Sequence, residues 1–131
     1  MSYFVILCAT TMKNLHDILK KEKYKKINFK VSKTQHLLVK ATINGILGNF
    51  ILDTGASNSC VGFESIDHFN LKAGKSKTKA SGAGATGMFT QLAKNNSLKI
   101  GRWKTDEFHL IIFDMTHVNE ALQQYKAKPV H

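Results

Sequence analysis

The chain carries one short motif that strongly constrains its fold: an apolar run at residues 50–52 leads directly into Asp-Thr-Gly-Ala-Ser at residues 53–57. The apolar run is typical of a buried strand, and the small polar residues after it are typical of a tight loop. Gly55 permits the sharp turn and the close backbone approach that a side chain would prevent. The sequence therefore predicts a sheet protein in which a rigid loop holds the carboxyl group of Asp53.

Two hairpins are predicted around this motif. Asn44-Gly45 separates apolar runs at residues 36–43 and 46–52, and Asn-Gly between such runs is a strong signal for a hairpin. Residues 81–87 are rich in glycine and are followed by β-favouring residues, which predicts a second hairpin. The same glycines match a dinucleotide-binding pattern. That site is rejected because no apolar strand precedes them and no helix pattern follows.

Together, residues 36–115 resemble the retropepsin-like (gag-polyprotein-type) aspartic proteases. The resemblance rests on the Asp-Thr-Gly-Ala-Ser motif with its apolar lead-in, on the hairpin before it and on the glycine-rich segment after it. It implies a mostly β fold, a small closed barrel of the acid-protease type, with no metal or organic cofactor. The residues that match the family's catalytic motif are Asp53, Thr54 and Gly55, and those that match its substrate-binding flap are Gly82, Ala83, Gly84 and Ala85.

The resemblance also implies an activity and an assembly. Aspartic proteases hydrolyse peptide bonds with two facing carboxyl groups that share one proton. This chain has one Asp-Thr-Gly sequence, so the family's chemistry requires a twofold homodimer in which Asp53 of each copy meets at the axis. Thr54 is then expected to brace the two loops, and a peptide or protein is the expected substrate.

Hydrophobic periodicity predicts the remaining elements. A short amphipathic helix is expected near residues 14–24, a turn or short helix near 64–69, and a helical segment near 115–125. Strands are expected at residues 26–31, 36–43, 46–52, 92–100 and 103–113. The expected organisation is a partly helical, Lys-rich N-terminal extension at residues 1–25, with Met12 as an alternative start, and a protease domain at residues 26–131.

The C-terminal end departs from the family pattern. Retropepsin-like domains carry an apolar-apolar-glycine segment after the long strands, followed by a short helix and often a terminal strand. That segment is not found beyond Phe113. The sequence therefore predicts either a C-terminally incomplete domain or a variant that closes its core and its dimer differently.

The net charge of +10 supports the main competing interpretation. Residues 13–40 contain nine lysines, Lys13 and Lys40 included, and such a segment binds phosphate backbones or anionic membrane surfaces in some proteins. Because the charge is almost all Lys and base readout favours Arg, we expect no specific nucleic-acid partner. The two cysteines, Cys8 and Cys60, are too few for a disulfide framework. With no signal peptide and no membrane span predicted, they favour a cytoplasmic protein.

Three functions from different classes therefore remain. The first is a dimeric aspartic endopeptidase, which the motif favours. The second is a catalytically inactive protease-like module that binds an extended peptide or a partner through the same cleft. The third is a Lys-rich nucleic-acid-binding domain, which requires binding that weakens strongly with salt.

Overall fold

The computed structural model describes residues 14–77, 79–82 and 85–131, so the expectations for residues 1–13 lie outside the described residues. The described part of the chain is mostly β, as predicted, with helices α1 (Leu15–Lys21), α2 (Ser65–His68) and α3 (Thr116–Gln124). The strands are β1 (Lys30–Val31), β2 (Leu37–Ile43), β3 (Ile46–Leu52), β4 (Cys60–Gly62), β5 (Ala73–Lys75), β6 (Ala80–Gly82), β7 (Ala85–Met88), β8 (Gln91–Ile100) and β9 (Trp103–Phe113).

A long hairpin of β8 and β9 forms the centre of the main sheet. Its turn contains Gly101 with a φ of +56°, a left-handed conformation that glycine adopts without steric cost. β9 also pairs in parallel with β4, and β8 pairs with β2 and β5. The predicted strands at residues 92–100 and 103–113, joined at Gly101, are therefore confirmed.

The hairpin of β2 and β3 delivers the Asp-Thr-Gly motif. Its turn residues Asn44 and Gly45 have φ values of +50° and +81°, the geometry that lets a two-residue turn match the twist of its strands. The two strands pair along their whole length, from Ile43 opposite Ile46 to Leu37 opposite Leu52. The predicted hairpin is confirmed, and its second strand ends at the residue before the motif.

The prediction of a closed barrel is wrong. One edge of β2 is taken entirely by β3, while its other edge is divided between β1 and β8, so the sheet branches. The strands at the ends of the main path, β1 and β4, have only two and three residues and do not pair with each other in the described part of the chain. Strands this short do not supply the tilted, continuous pairing by which a barrel closes.

The strand predicted at residues 26–31 is also wrong for most of its length. Only Lys30–Val31 pairs with β2, although the alternation of apolar and polar residues extends from residue 26. Every residue from 14 to 31 is exposed, so neither the apolar nor the polar side of the segment is buried. The predicted helix is confirmed as α1, and the Asn14 side chain caps it by accepting a hydrogen bond of 2.9 Å from the backbone N–H of Asp17.

The buried side chains form two clusters. One lies on the main sheet and under α2, and the other joins α3 to the C-terminal segment. Asn119 on α3 fixes that segment through two hydrogen bonds, 2.9 and 3.0 Å long, with the backbone of Val130. The first cluster consists of Ala41, Ile43, Val61, Phe69, Leu71, Ala93, Leu98, Leu110 and Ile112, and the second of Met115, Leu122 and Val130.

Candidate active site

Asp53 lies directly after β3, in a loop that fixes its side chain locally. The backbone N–H of Gly55 donates a hydrogen bond of 2.8 Å to Oδ1 of Asp53. A carboxylate that accepts from the amide two residues later is a common way for Asp to order a tight turn. The loop from residue 52 to 59 is exposed throughout, including the side chain of Thr54. A single chain thus presents the Asp53 carboxyl group at its surface.

An apolar groove of about 670 Å³ begins at this loop. Its walls include residues of both buried clusters, such as Ile43 and Leu110 from the first and Met115 from the second. Ile111 and Phe113 of β9 also line it. Among the described residues that form the groove, Asp53 is the only acidic one. The groove therefore combines a mostly apolar lining with one carboxyl group, as ligand sites commonly do.

The glycine-rich segment forms a separate two-stranded hairpin. β6 and β7 pair antiparallel, with Gly82 opposite Ala85, and the pairing is irregular between Ala80 and Gly82. The predicted substrate-binding residues Ala83 and Gly84 lie outside the described residues. Lys79 and Met88, at the base of this hairpin, line the same groove as Asp53. The hairpin therefore emerges next to the groove that contains the Asp-Thr-Gly loop.

Cys60, at the start of β4, is a half-buried residue of the groove wall. Its Sγ lies 3.6 Å from the backbone oxygen of Asn58, to which it donates a weak hydrogen bond. Burial raises the pKa of the thiol, which keeps the sulfur protonated and a poor nucleophile.

His131 lines another part of the groove. No sequence pattern predicted this position for it. Its ring stacks on His68 with centroids 4.6 Å apart and an angle of 7° between the rings, and it meets the edge of Phe69. Its backbone N–H donates a hydrogen bond of 3.0 Å to the oxygen of Asn49 on β3. Desolvation by burial, and then the nearby His68, lower the pKa of His131 below its ordinary value.

The lining residues missed by sequence reasoning come from distant parts of the chain. Lys79, Met88 and His131 carry no motif, and only tertiary packing brings them to the groove of Asp53. A second cavity of about 380 Å³, between Glu64 and the face of α3 that bears Glu120, contains none of the predicted site residues. Within the described ranges, no cluster of three or more His, Cys, Asp or Glu side chains is arranged to hold a metal ion.

A family model described as aspartyl protease matches residues 39–124, about two thirds of the chain. No curated protein sequence matches the chain. Among the described residues, no helix is both long enough and apolar enough to cross a membrane. The matched range begins in β2 and ends with α3, so it contains the hairpin, the Asp-Thr-Gly loop and the glycine-rich hairpin.

Two solved structures have a similar fold. The EIAV protease, in complex with an inhibitor, is 19% identical in sequence with a TM-score of 0.54, and the alignment covers 78% of this chain and 99% of that protein. A retropepsin-like aspartic protease from Rickettsia conorii is 18% identical with a TM-score of 0.52, and the alignment covers 68% of this chain and 73% of that protein.

Proposed function

Because this chain belongs to the aspartyl protease family, we propose that it is an aspartic endopeptidase whose active site forms between two copies. The observation that carries the proposal is that Asp53 is the only acidic residue among the described residues of the groove, while its loop is exposed in the single chain. Peptide hydrolysis by this route needs two carboxyl groups. The second one comes from Asp53 of the other copy.

The proposed reaction uses the two Asp53 side chains in different protonation states. The ionised carboxylate removes a proton from a water molecule, and the water oxygen attacks the carbonyl carbon of the peptide bond. The protonated carboxyl group donates its hydrogen to the carbonyl oxygen. When the tetrahedral intermediate collapses, the C–N bond breaks and the first carboxyl group gives the leaving nitrogen the proton it took from water. The second carboxylate recovers a proton from one of the intermediate's two hydroxyl groups, which leaves the carboxylic acid product. Two carboxyl groups this close favour having one protonated and one ionised, because repulsion between like charges opposes ionisation of both.

The environment of the loop supports a dimer with this geometry. Leu52, directly before Asp53, is 48% exposed, and a partner copy that packs on this loop would remove its apolar surface from water. A twofold axis near Asp53 would bury Leu52 and would place Thr54 of each copy beside the opposite loop. Gly55 would keep each carboxyl group fixed through its hydrogen bond.

The groove and the glycine-rich hairpin define the proposed substrate. An extended peptide would lie along the apolar wall that includes Ile111 and Phe113. Gly82, Ala83, Gly84 and Ala85 would cover it, and closure of the two hairpins would exclude water from the reacting bond. The expected substrates are therefore polypeptides with apolar side chains next to the bond that is cleaved.

The decisive experiment is cleavage of a diverse peptide pool, from acidic to neutral pH, by the protein and by its Asp53→Asn variant. Asp106→Asn is the matched control, because Asp106 is exposed, lies outside the groove and only pairs with Lys104 at 3.5 Å. We expect cleavage by the wild type and the control, and a loss of about 100-fold or more in the Asp53 variant. Equal cleavage by all three proteins would refute the proposal.

A mixing experiment tests the shared site separately. Adding Asp53→Asn protein to a fixed amount of wild type should lower the activity, because a mixed dimer contains only one of the two Asp53 carboxyl groups. Activity that is indifferent to the added variant would contradict a site shared between copies. A monomeric protein that cleaves no peptide, and binds peptides equally well with and without the Asp53→Asn change, would instead indicate the inactive peptide-binding module.

A further inference from the structure

The segment of residues 14–33, here called the basic segment, exposes a series of large apolar side chains. No residue of α1 is buried, and the apolar side chains of the segment are 36–69% exposed. The segment joins the main sheet at its end, where Lys30 pairs with Leu38 and Val31 with Leu37, and where Ser32 hydrogen-bonds to His36. The exposed apolar side chains are Leu15, Ile18, Leu19, Tyr24, Ile27, Phe29 and Val31.

The apolar residues of α1 share one side of the helix. Leu15, Ile18 and Leu19 are spaced by three and four positions, which places them on one face. Lys20 and Lys21 project from the opposite side of the same helix at 100° per residue, with Asp17 between them. A short helix with one apolar face and one polar face that carries two lysines fits a boundary between an apolar and an anionic medium.

The charge of the segment is strongly one-sided. Its only acidic residues are Asp17 and Glu22, and none of its lysines forms an ion pair among the described residues. The lysine side chains are exposed and free to reach anionic groups while their aliphatic stems lie along an apolar surface. The lysines of the segment are Lys20, Lys21, Lys23, Lys25, Lys26, Lys30 and Lys33.

We propose that the basic segment binds the surface of a lipid bilayer that carries anionic headgroups. The apolar side chains would enter the boundary between headgroups and acyl chains, and the lysines would contact the anionic groups. A phosphate backbone would satisfy the lysines but would leave Leu15, Ile18 and Leu19 in water. A second copy of the segment would satisfy the apolar residues but would bring two cationic surfaces together, which like-charge repulsion opposes.

This surface is independent of the proposed catalytic function. None of the residues of the basic segment lines the groove of Asp53 or belongs to either buried cluster. Docking of the segment on a bilayer therefore requires no change in the described core. Peptide cleavage should be the same in variants of this surface, which separates failure of this proposal from failure of the catalytic one.

The test is flotation of the full chain with vesicles of phosphatidylcholine alone or of equimolar phosphatidylcholine and phosphatidylserine. We expect binding to the anionic vesicles that weakens with salt, and little binding to the neutral ones. The double variant Ile18→Asp with Leu19→Asp should lower the affinity at least about tenfold, and so should Lys20→Gln, Lys21→Gln, Lys23→Gln and Lys25→Gln combined.

The matched control changes the same number of exposed lysines elsewhere, as Lys72→Gln, Lys75→Gln, Lys94→Gln and Lys99→Gln, and should retain most of the binding. An equal loss of binding in this control would show that binding depends only on the net charge of the protein, and would overturn the proposal. The absence of binding at low salt would overturn it as well. A single-stranded oligonucleotide that displaces the vesicles and still binds the Ile18→Asp, Leu19→Asp variant would assign the segment to nucleic acid. Circular dichroism checks that each variant is folded.

Discussion

The backbone N–H of Gly55 lies 2.8 Å from Oδ1 of Asp53 and donates a hydrogen bond to it. A Cβ atom on Gly55 would lie 3.3 Å from the same oxygen, closer than an ordinary van der Waals contact. Residue 55 therefore both orients the carboxyl group and leaves room for it. A methyl group at residue 55 would therefore require the carboxyl group to move by a few tenths of an ångström.

We expect Gly55→Ala to impair peptide cleavage while the protein remains folded. The added methyl group would displace the carboxyl group, and small displacements of a reacting group cost between about 10- and 100-fold in rate. The check is kcat/KM for a cleaved peptide together with the denaturation midpoint. Full activity in this variant would show that the position of Oδ1 does not limit the reaction.

Asn44→Gly should destabilise the protein although it keeps a residue suited to the positive φ of the turn. The Asn44 side chain donates to the oxygen of Phe69 at 3.0 Å and to Oδ1 of Asn96 at 2.9 Å, and it accepts from the backbone N–H of Ser97 at 3.0 Å. Loss of these three hydrogen bonds should lower the free energy of unfolding by about 2–3 kcal/mol, measured by urea denaturation.

The control for that change is Asn95→Gly. Asn95 also has a positive φ, of +56°, and its side chain is exposed. Since the backbone requirement is the same, a similar loss in both variants would mean that the hydrogen bonds of Asn44 add nothing to stability.

Gly48→Ala should destabilise the sheet by crowding two aromatic rings. A Cβ atom at this position would lie 2.6 Å from Cζ of Phe69 and 2.8 Å from Cε2 of Phe50. Phe69 is fully buried, so overpacking should cost about 1–3 kcal/mol in the free energy of unfolding. At Gly74 the nearest atom would be 3.8 Å away, and Gly74→Ala should be close to neutral by the same measurement.

Stability should fall as the pH is lowered through the titration of His131. Its pKa in the folded protein is below the ordinary value of 6.5, so the unfolded chain binds the proton more tightly. The contribution of the neutral ring to stability is therefore complete at pH values above 6.5, and it is lost as the pH falls through the pKa of His131 in the folded protein. His131→Phe keeps an aromatic ring against His68 and Phe69 but does not titrate.

The measurement is the free energy of unfolding of wild type and His131→Phe at about pH 7.5 and about pH 5. The wild type should lose more stability than the variant over this interval. An identical change in the two proteins would exclude His131 as the group responsible.

Local signals in the sequence predicted much of the fold. The turn at Asn44 and Gly45 and the turn at Gly101 consist of residues that adopt positive φ, and the strands on either side were predicted within one or two residues. The helix expected near residues 14–24 likewise begins at Leu15, where the Asn14 side chain caps it. In each case one or two residues determine the local backbone.

Pairing between distant segments was not predictable in the same way. β4 pairs in parallel with β9, and nothing in Cys60-Val61-Gly62 alone indicates that partner. β5 is three exposed residues whose strand conformation depends on β8. The branched sheet was missed for the same reason, because the pattern of β2 does not reveal that two strands share one of its edges.

The candidate site likewise contains residues that a local motif predicts and residues that it does not. The Asp-Thr-Gly motif identified Asp53 as the candidate functional carboxyl group, and the groove in which it lies is consistent with that role. Lys79 and His131 have no local signal, and tertiary packing alone brings them to the groove. Their place in the groove was therefore outside the reach of sequence patterns.

The exposed loop of residues 52–59 has a consequence for how the proposed activity is regulated. A chain that holds half of a catalytic site is inert while it is scarce, since pairing depends on how often two copies meet. In dilute solution the rate should rise with the square of the protein concentration, and then linearly once most copies are paired. Abundance itself would act as the switch, so that proteolysis begins only where the protein has accumulated.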